Sequence, residues 1–283
     1  MSTIHPTSVI EPGAQIGDNV DIGPLCHVGA KVTIGSGSHL ISHISITGRT
    51  TLGSGNRIWP HVSIGADPQD FKFAGEDSHL IIGNDNQIRE LVTIHKGTVN
   101  GGGVTRIGNQ NIFMAGAHVA HDCFIGNHIV LANAVLLAGH VHVGDHVVIS
   151  GASAIHHYVT VGRHAFIGGL TRIVHDVPPY MVVEGNPASV RSLNRIGLER
   201  NNISTESIRR LRNAYRYLYR NGLQNEEGSV GGTIAEKISQ LEQSYGQDQC
   251  VDTLIDFLRE MSGAKYGRHR ESTRHDNRHR NSR

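Results

Sequence analysis

Aliphatic side chains recur every six residues along most of the chain. The run begins at Ile4 and pauses after Ile64, resumes from Ile82 to Ile94, and continues after a second pause from Ile107. An α-helix repeats every 3.6 residues and a strand every two, so neither explains this period. It is typical of a triangular solenoid, in which each hexapeptide forms one short side and a turn and three complete a coil. The pattern predicts a mainly β fold, a parallel β-helix of hexapeptide repeats.

The two pauses in the repeat predict loops. They span residues 67–80, "DPQDFKFAGEDSHL", and 99–106, "VNGGGVTR". Insertions in a solenoid leave the coil as loops and commonly line a binding face.

The hexad repeat ends shortly before residue 190, and a helical pattern follows it. Ser204 precedes the first amphipathic segment and is a candidate N-cap. Three segments predict helices: 204–220, 232–245 and 250–261. The predicted domains are therefore a β-helix over 1–189 and a helical domain over 190–263.

Composition agrees with a regular array of small aliphatic residues. Aromatic residues make up only 5% of the 283 positions, and there are 34 glycines. The three cysteines are odd in number and far apart, which predicts neither a disulfide framework nor a zinc knuckle and favours a reducing, cytoplasmic location. The N-terminus has no signal-peptide pattern, and no apolar run approaches the roughly 20 residues of a membrane span.

The charge is concentrated at the C-terminal end. Residues 264–283 hold seven of the 26 Lys and Arg residues and two of the 25 acids, in a chain whose net charge is +1. This segment lacks apolar residues, so we predict a disordered basic tail. We expect no nucleic acid partner and no stable membrane insertion.

A histidine-rich stretch, "HVAHDCFIGNH" at 118–128, is the candidate site. Residues 18 apart occupy equivalent places on successive coils, about 4.8 Å apart. His121 therefore stacks on Gly139, and Asp122 stacks on His140. The register predicts a compact exterior patch: His118, His121, Asp122, His140 and His157.

This patch suits acid–base chemistry. A neutral imidazole beside a carboxylate can take a proton from an alcohol, and Asp122 would orient His121 as the base. The backbone N–H of Gly139 could stabilise an oxyanion. A metal needs three converging ligands at about 2.1 Å, which this spacing does not favour, so we predict no metal. Cys123 falls at an inward position and is interpreted as a core residue.

Six motifs make the chain resemble a known family. It closely resembles the bacterial UDP-N-acetylglucosamine O-acyltransferases that begin lipid A synthesis, part of lipopolysaccharide. The resemblance covers residues 1 to about 262. The motifs are "PQDFKFAGE" (68–76), "RELVTIHKGTVNGGG" (89–103), "AHVAHDC" (117–123), "LAGHV" (137–141), "DVPPYMVVEGNPA" (176–188) and "LNRIGLERN" (193–201).

The resemblance implies a left-handed β-helix and a reaction. An R-3-hydroxyacyl chain would pass from acyl carrier protein to the glucosamine 3-hydroxyl of UDP-N-acetylglucosamine, without a cofactor. His121 would be the base, Asp122 its partner and Gly139 the oxyanion donor. The family also implies a homotrimer with each site between two subunits. Substrate-binding positions would be Asp70, Lys72, His118, His140, His156, Asn194 and Arg200. His157 departs from the family, which has glutamine there, but the register adds it as a substrate-binding candidate.

Two further sites follow for the acyl donor. Gly169 matches the position that limits acyl chain length in the family, and a chain of about 10 to 14 carbons would fit two to three coils. Acidic carrier protein would dock on basic residues near the solenoid–helix junction. The candidates are Arg172, Arg209, Arg210, Arg212 and Arg216.

Other functions remain open on the sequence. The acceptor could carry a 3-amine, or the donor could be acetyl-CoA, in another hexapeptide-repeat acyltransferase. A non-enzymatic β-helical scaffold is a different class, but it leaves "AHVAHDC" and the two loops without an explanation.

Overall fold

The computed structural model describes residues 1–220, 234–245 and 247–273. Its strands are short, and most contain two residues. The strands before the second loop are β1 Thr3–Ile4, β2 Val9–Ile10, β3 Gln15–Ile16, β4 Asp21–Ile22, β5 His27–Val28, β6 Val32–Ile34, β7 His39–Leu40, β8 Ser45–Ile46, β9 Arg49–Leu52, β10 Arg57–Ile58, β11 Ser63–Ala66, β12 His79–Ile82, β13 Gln87–Ile88 and β14 Thr93–His95. The strands after it are β15 Val104–Ile107, β16 Ile112–Phe113, β17 His118–Val119, β18 Phe124–Ile125, β19 Val130–Leu131, β20 Leu136–Leu137, β21 His142–Val143, β22 Val148–Ile149, β23 Ala154–Ile155, β24 Thr160–Val161, β25 Phe166–Ile167, β26 Arg172–Ile173, β27 Met181–Glu184 and β28 Ser189–Leu193.

These strands form the three walls of a triangular β-helix. Sheet A runs β1-β4-β7-β10-β13-β16-β19-β22-β25-β27-β28, sheet B runs β2-β5-β8-β11-β14-β17-β20-β23-β26, and sheet C runs β3-β6-β9-β12-β15-β18-β21-β24. Neighbours pair in parallel, except for the antiparallel β27–β28 hairpin at the end of sheet A. The predicted fold class is confirmed.

The hexad aliphatics form the core. From Ile22 onward they are at most 4% exposed, as at Ile64, Phe113, Val119 and Leu137. Turn residues between the walls adopt a positive φ, which a repeated corner requires. Cys123 is fully buried in this core, and burial raises its thiol pKa to about 12, so it packs as an apolar residue.

Both predicted loops are present; the first is two residues shorter than expected, and the second has the expected length but begins three residues earlier. Strand pairing resumes at His79 and Val104, so the loops are residues 67–78 and 96–103. A short 3-10 helix, Val99–Gly101, lies within the second loop. Both loops leave the solenoid at the edge between sheets B and C, hereafter the B–C edge.

Among the described residues, four α-helices follow the β-helix: α1 Arg195–Arg200, α2 Thr205–Tyr215, α3 Ile234–Tyr245 and α4 Gln249–Ser262. Ser204 caps α2 as predicted, because its hydroxyl accepts from the Ser207 N–H. A π-helical turn, Arg216–Arg220, extends α2. Apolar faces of the helices and of β28 form a second core around Leu211, Leu254 and Met181. Among the described helices, none is long and apolar enough to cross a membrane.

The prediction of a disordered tail over 264–283 is wrong for residues 264–273. Two short 3-10 helices, Lys265–Gly267 and His269–Thr273, follow α4. The charged composition did not indicate these helices, because Arg268 and Glu271 neutralise each other in an almost buried ion pair of 2.8 Å. Residues 274–283 lie outside the described residues.

Candidate active site

His121 and Asp122 form a hydrogen-bonded pair at the B–C edge. The Asp122 carboxylate accepts from His121 Nδ1 over 2.7 Å. The imidazole is 13% exposed, whereas Asp122 is 1% exposed. Because Nδ1 is engaged, Nε2 is the ring nitrogen left for chemistry.

The second loop holds the carboxylate in place. Asp122 Oδ1 accepts from the Thr98 N–H at 2.8 Å, and Oδ2 accepts from the Thr98 hydroxyl at 2.6 Å. A Cβ on Gly101 would overlap the Asp122 carboxylate, so this loop can pack over it only with glycine there. The prediction that Asp122 lies on the exterior is therefore wrong, because the loop covers it.

Gly139 lies one coil along from His121 and faces its ring. A Cβ added to Gly139 would be 2.7 Å from His121 Nε2, so any side chain would displace the imidazole. His121 Nε2 therefore lies beside Gly139, the glycine on which the register stacked it, and the Gly139 N–H has no acceptor among the described residues.

His140 and Tyr158 occupy the same corner position as Asp122 on the next two coils. Their rings stack with centroids 4.4 Å apart and planes 4° apart. His140 Nε2 is 3.9 Å from Asp122 Oδ2, and burial lowers the His140 pKa to about 4. This imidazole is therefore neutral at pH 7.

A cleft of about 310 Å³ opens onto these residues. Asp70 and Lys72 of the first loop line it, as the resemblance implied, and so does His157, which the register placed in the patch. Its lining also includes residues that sequence reasoning did not assign: Gln69, Asn100, Ala138 and Tyr158. Asn100 is in the quoted motif "RELVTIHKGTVNGGG", but no repeat spacing relates it to His121.

His118 and His156 lie next to the cleft without lining it. His118 projects from the outer face of sheet B, where its Nδ1 is 2.7 Å from the Thr93 hydroxyl and burial lowers its pKa. The ring of His156 packs on that of His157 with centroids 3.8 Å apart. His118 lies in β17 and His156 directly follows β23, so both belong to sheet B, which borders the cleft.

Asn194 and Arg200 are not brought to the cleft of the same chain. Asn194 caps α1, accepting from the Gly197 N–H at 3.1 Å and donating to the His164 carbonyl at 2.8 Å. Arg200 ends the same helix.

Gly169 lies on a different edge from His121. It is exposed at the edge between sheets A and B, and a Cβ there would make only ordinary contacts, the nearest at 3.4 Å to the Gly151 carbonyl. The outer face of sheet B separates the two positions. A straight groove along the axis from His121 therefore does not reach Gly169, and the count of two to three coils leaves out the path across this face.

The predicted basic patch is partly neutralised. Arg209 and Arg210 both bind Glu206, at 2.7 and 2.9 Å. Arg172 is exposed on the outer face of sheet B, whereas Arg209 and Arg210 belong to α2.

The ligand atoms of His121, Asp122 and His140 lie within 4.8 Å of one another. However, both oxygens of Asp122 already accept bonds from Thr98, and Oδ2 also accepts from His121. A cation at this position would have to replace those bonds. The arrangement favours proton transfer over metal binding.

Comparison with known proteins agrees with this geometry. A family model described as UDP-N-acetylglucosamine O-acyltransferase, domain 2, matches residues 176–267. LpxA from Acinetobacter baumannii is 40% identical, with 91% of this chain and 96% of that chain covered and a TM-score of 0.85. LpxA from Bacteroides fragilis, a UDP-N-acetylglucosamine acyltransferase, is 36% identical, with 91% and 97% covered and a TM-score of 0.85. The Francisella novicida UDP-N-acetylglucosamine acyltransferase is 35% identical, with 94% and 93% covered and a TM-score of 0.85. This chain belongs to the UDP-N-acetylglucosamine O-acyltransferase family of lipid A synthesis.

Proposed function

We propose that the protein transfers an R-3-hydroxyacyl chain from acyl carrier protein to the 3-hydroxyl of UDP-N-acetylglucosamine, with His121 as the general base. One observation carries the proposal. The bond from His121 Nδ1 to a buried carboxylate leaves Nε2 beside Gly139 at an open cleft, and the Gly139 N–H has no acceptor among the described residues.

The proposed reaction uses both groups. His121 Nε2 takes the proton of the sugar hydroxyl as its oxygen attacks the thioester carbonyl. The Gly139 N–H donates to the resulting oxyanion, and Asp122 stabilises the imidazolium. Collapse of the tetrahedral intermediate breaks the C–S bond, and the imidazolium returns its proton to the departing thiolate. The ester forms without a cofactor from this chain.

The polar lining of the cleft supports a nucleotide sugar as acceptor. Lys72 supplies a positive charge for a diphosphate, and Asp70 and Asn100 can bond hydroxyl groups. We place Asn194 and Arg200 at the cleft of a neighbouring protomer in a homotrimer, since neither reaches the cleft of its own chain.

The direct test uses purified full-length protein with R-3-hydroxyacyl carrier protein and UDP-N-acetylglucosamine. The expected product is an ester, which mild alkali cleaves. Parallel reactions offer the 3-amino sugar nucleotide, whose amide product survives alkali, and acetyl-CoA as donor. Preference for the amine or for acetyl-CoA would contradict the proposal, as would no transfer at all.

We further propose that the acyl chain crosses the outer face of sheet B between His121 and Gly169. The exposed side chain of Leu136 on this face supplies apolar surface for it. Gly169→Met should move the preference to a shorter chain because the added side chain projects into the path, and Leu170→Met is the matched control. Competition between carrier proteins of different acyl lengths measures the shift; an unchanged preference in Gly169→Met contradicts the path.

A further inference from the structure

Residues 264–273, here called the C-terminal strap, bind the end of the β-helix. The Gly267 carbonyl accepts from the Asp176 N–H at 2.7 Å, and Asp176 Oδ2 accepts from both the N–H and Nδ1 of His269 at 2.7 Å. Arg268 donates to the Val174 carbonyl at 2.7 Å. The strap therefore returns the chain from the helical domain to the solenoid.

The strap has a specific fit on this surface. A Cβ on Gly267, whose φ is 65°, would be 2.5 Å from the His175 ring. Side chains of Arg268 and Glu271 are only 10% and 7% exposed in their mutual ion pair. An ion pair this buried needs its partners in a defined geometry, so the strap is seated in one arrangement.

Arg270 extends from the strap to the corner formed by Gly139 and His140, beside His121. Its Nη1 donates to the His140 carbonyl at 2.6 Å, and the side chain is half-buried. On the other side, the His140 N–H donates to the His121 carbonyl at 3.0 Å. His140 has a φ of 63°, a left-handed conformation that surrounding contacts must maintain.

We propose that Arg270 is a positioning residue for acyl transfer, holding the Gly139–His140 corner so that the Gly139 N–H meets the oxyanion. This inference rests on the proposed function. An oxyanion donor acts only within about 3 Å of the developing charge, and a misplacement of about 1 Å can cost 100-fold in rate. The guanidinium binds the His140 carbonyl and not the reacting atoms, so its effect on the reaction is indirect.

Arg270 also affects the charge state of this corner. Burial is the main cause of the lowered His140 pKa; His121 and Arg270 lower it further, while Asp122 and Asp70 raise it. Removing the guanidinium should therefore raise the His140 pKa toward its ordinary value. A protonated His140 would add positive charge beside His121 and oppose formation of the imidazolium.

The experiment compares Arg270→Ala and Arg270→Lys in the full-length protein. Arg259→Ala is the matched control, because the described partners of Arg259 are Glu242 and Asp256, both in the helical domain. We expect Arg270→Ala to lower kcat by about 10- to 100-fold, with the KM for the nucleotide sugar changed less than about twofold. Arg270→Lys should restore part of kcat, since an ammonium can also donate to a carbonyl. The acid limb of the kcat profile should move to higher pH in Arg270→Ala.

Three outcomes would overturn the inference. In the first, Arg270→Ala matches Arg259→Ala. In the second, a raised KM with unchanged kcat makes Arg270 a substrate-binding residue. In the third, Arg270→Ala loses thermal stability and Arg270→Lys, although folded, recovers no kcat. Failure of the proposed function is separate, because wild-type protein would then make no acyl ester.

Discussion

The columns of corner residues at two edges of this β-helix differ in the groups that surround them. At the B–C edge, His140 stacks on Tyr158 below Asp122. At the edge between sheets C and A, His128, His146 and His164 stack with successive centroids 4.7 Å apart and planes within 7°. The corner residues of both columns adopt a positive φ.

The difference lies in what the loops add. At the B–C edge, residues 96–103 fold back and bury Asp122 beside an imidazole. No described loop of comparable length leaves the edge that carries His146. Stacked histidines are thus a consequence of the repeat, whereas a base needs the carboxylate, the glycine and the cleft together.

The largest expected contrast is between the histidines themselves. His121→Ala should lower kcat by about 10²- to 10⁴-fold, the usual cost of losing a positioned base. His146→Ala should remain within about twofold of wild type, since its column has no loop that buries a carboxylate against an imidazole. Steady-state kinetics measures both; near-full kcat in His121→Ala would remove the base assignment.

Asp122→Asn tests the carboxylate that distinguishes the two columns. We expect a loss of about 100-fold in kcat, because an amide can neither fix the imidazole tautomer nor stabilise its charged form. Asp145→Asn is the control, because Asp145 is a half-exposed carboxylate beside the histidine column of His128, His146 and His164. Equal kcat in the two variants would show that the buried carboxylate has no part in catalysis.

Gly101→Ala tests whether the loop must pack on Asp122. The new Cβ overlaps the carboxylate, so either the loop or Asp122 must move. We expect kcat to fall about 10-fold and stability by about 1–3 kcal/mol, as for overpacking. Gly263→Ala places its Cβ in open space and controls for the substitution. Unchanged kcat and melting temperature would contradict the packing described.

The smallest effect concerns pH and the histidine column. Burial is the main reason that the pKa of His164 falls to about 4, with the neighbouring His146 adding to it. The unfolded state therefore binds more protons below its pKa of about 6.5, so stability is complete above that pH and falls toward pH 4. His164→Asn should reduce the difference in unfolding free energy between pH 7 and 5 by about 1 kcal/mol. Urea denaturation at both pH values measures this difference. A difference in His164→Asn equal to that of the wild type would contradict the prediction.

The repeat made the solenoid predictable from sequence. Because each inward aliphatic returns every six residues, the core and the pairing of His121 with Gly139 followed from counting. Thr98 did not follow, since it contacts Asp122 across a loop whose length bears no relation to the coil. The strap was not predicted because a segment rich in charged residues is expected to be solvated. In the folded chain Arg268 and Glu271 instead form an almost buried ion pair.

The two loops show that spacing along the chain and spacing in space are independent at the B–C edge. Arg49 pairs with His79, 30 residues later, and His79 pairs with Val104, 25 residues later, yet the strands remain in parallel register. Insertions and deletions at this edge therefore leave the scaffold unchanged. Substrate preference could diversify by loop exchange while His121 and Gly139 keep their positions, which makes residues 67–78 a natural graft site for engineering new acceptors.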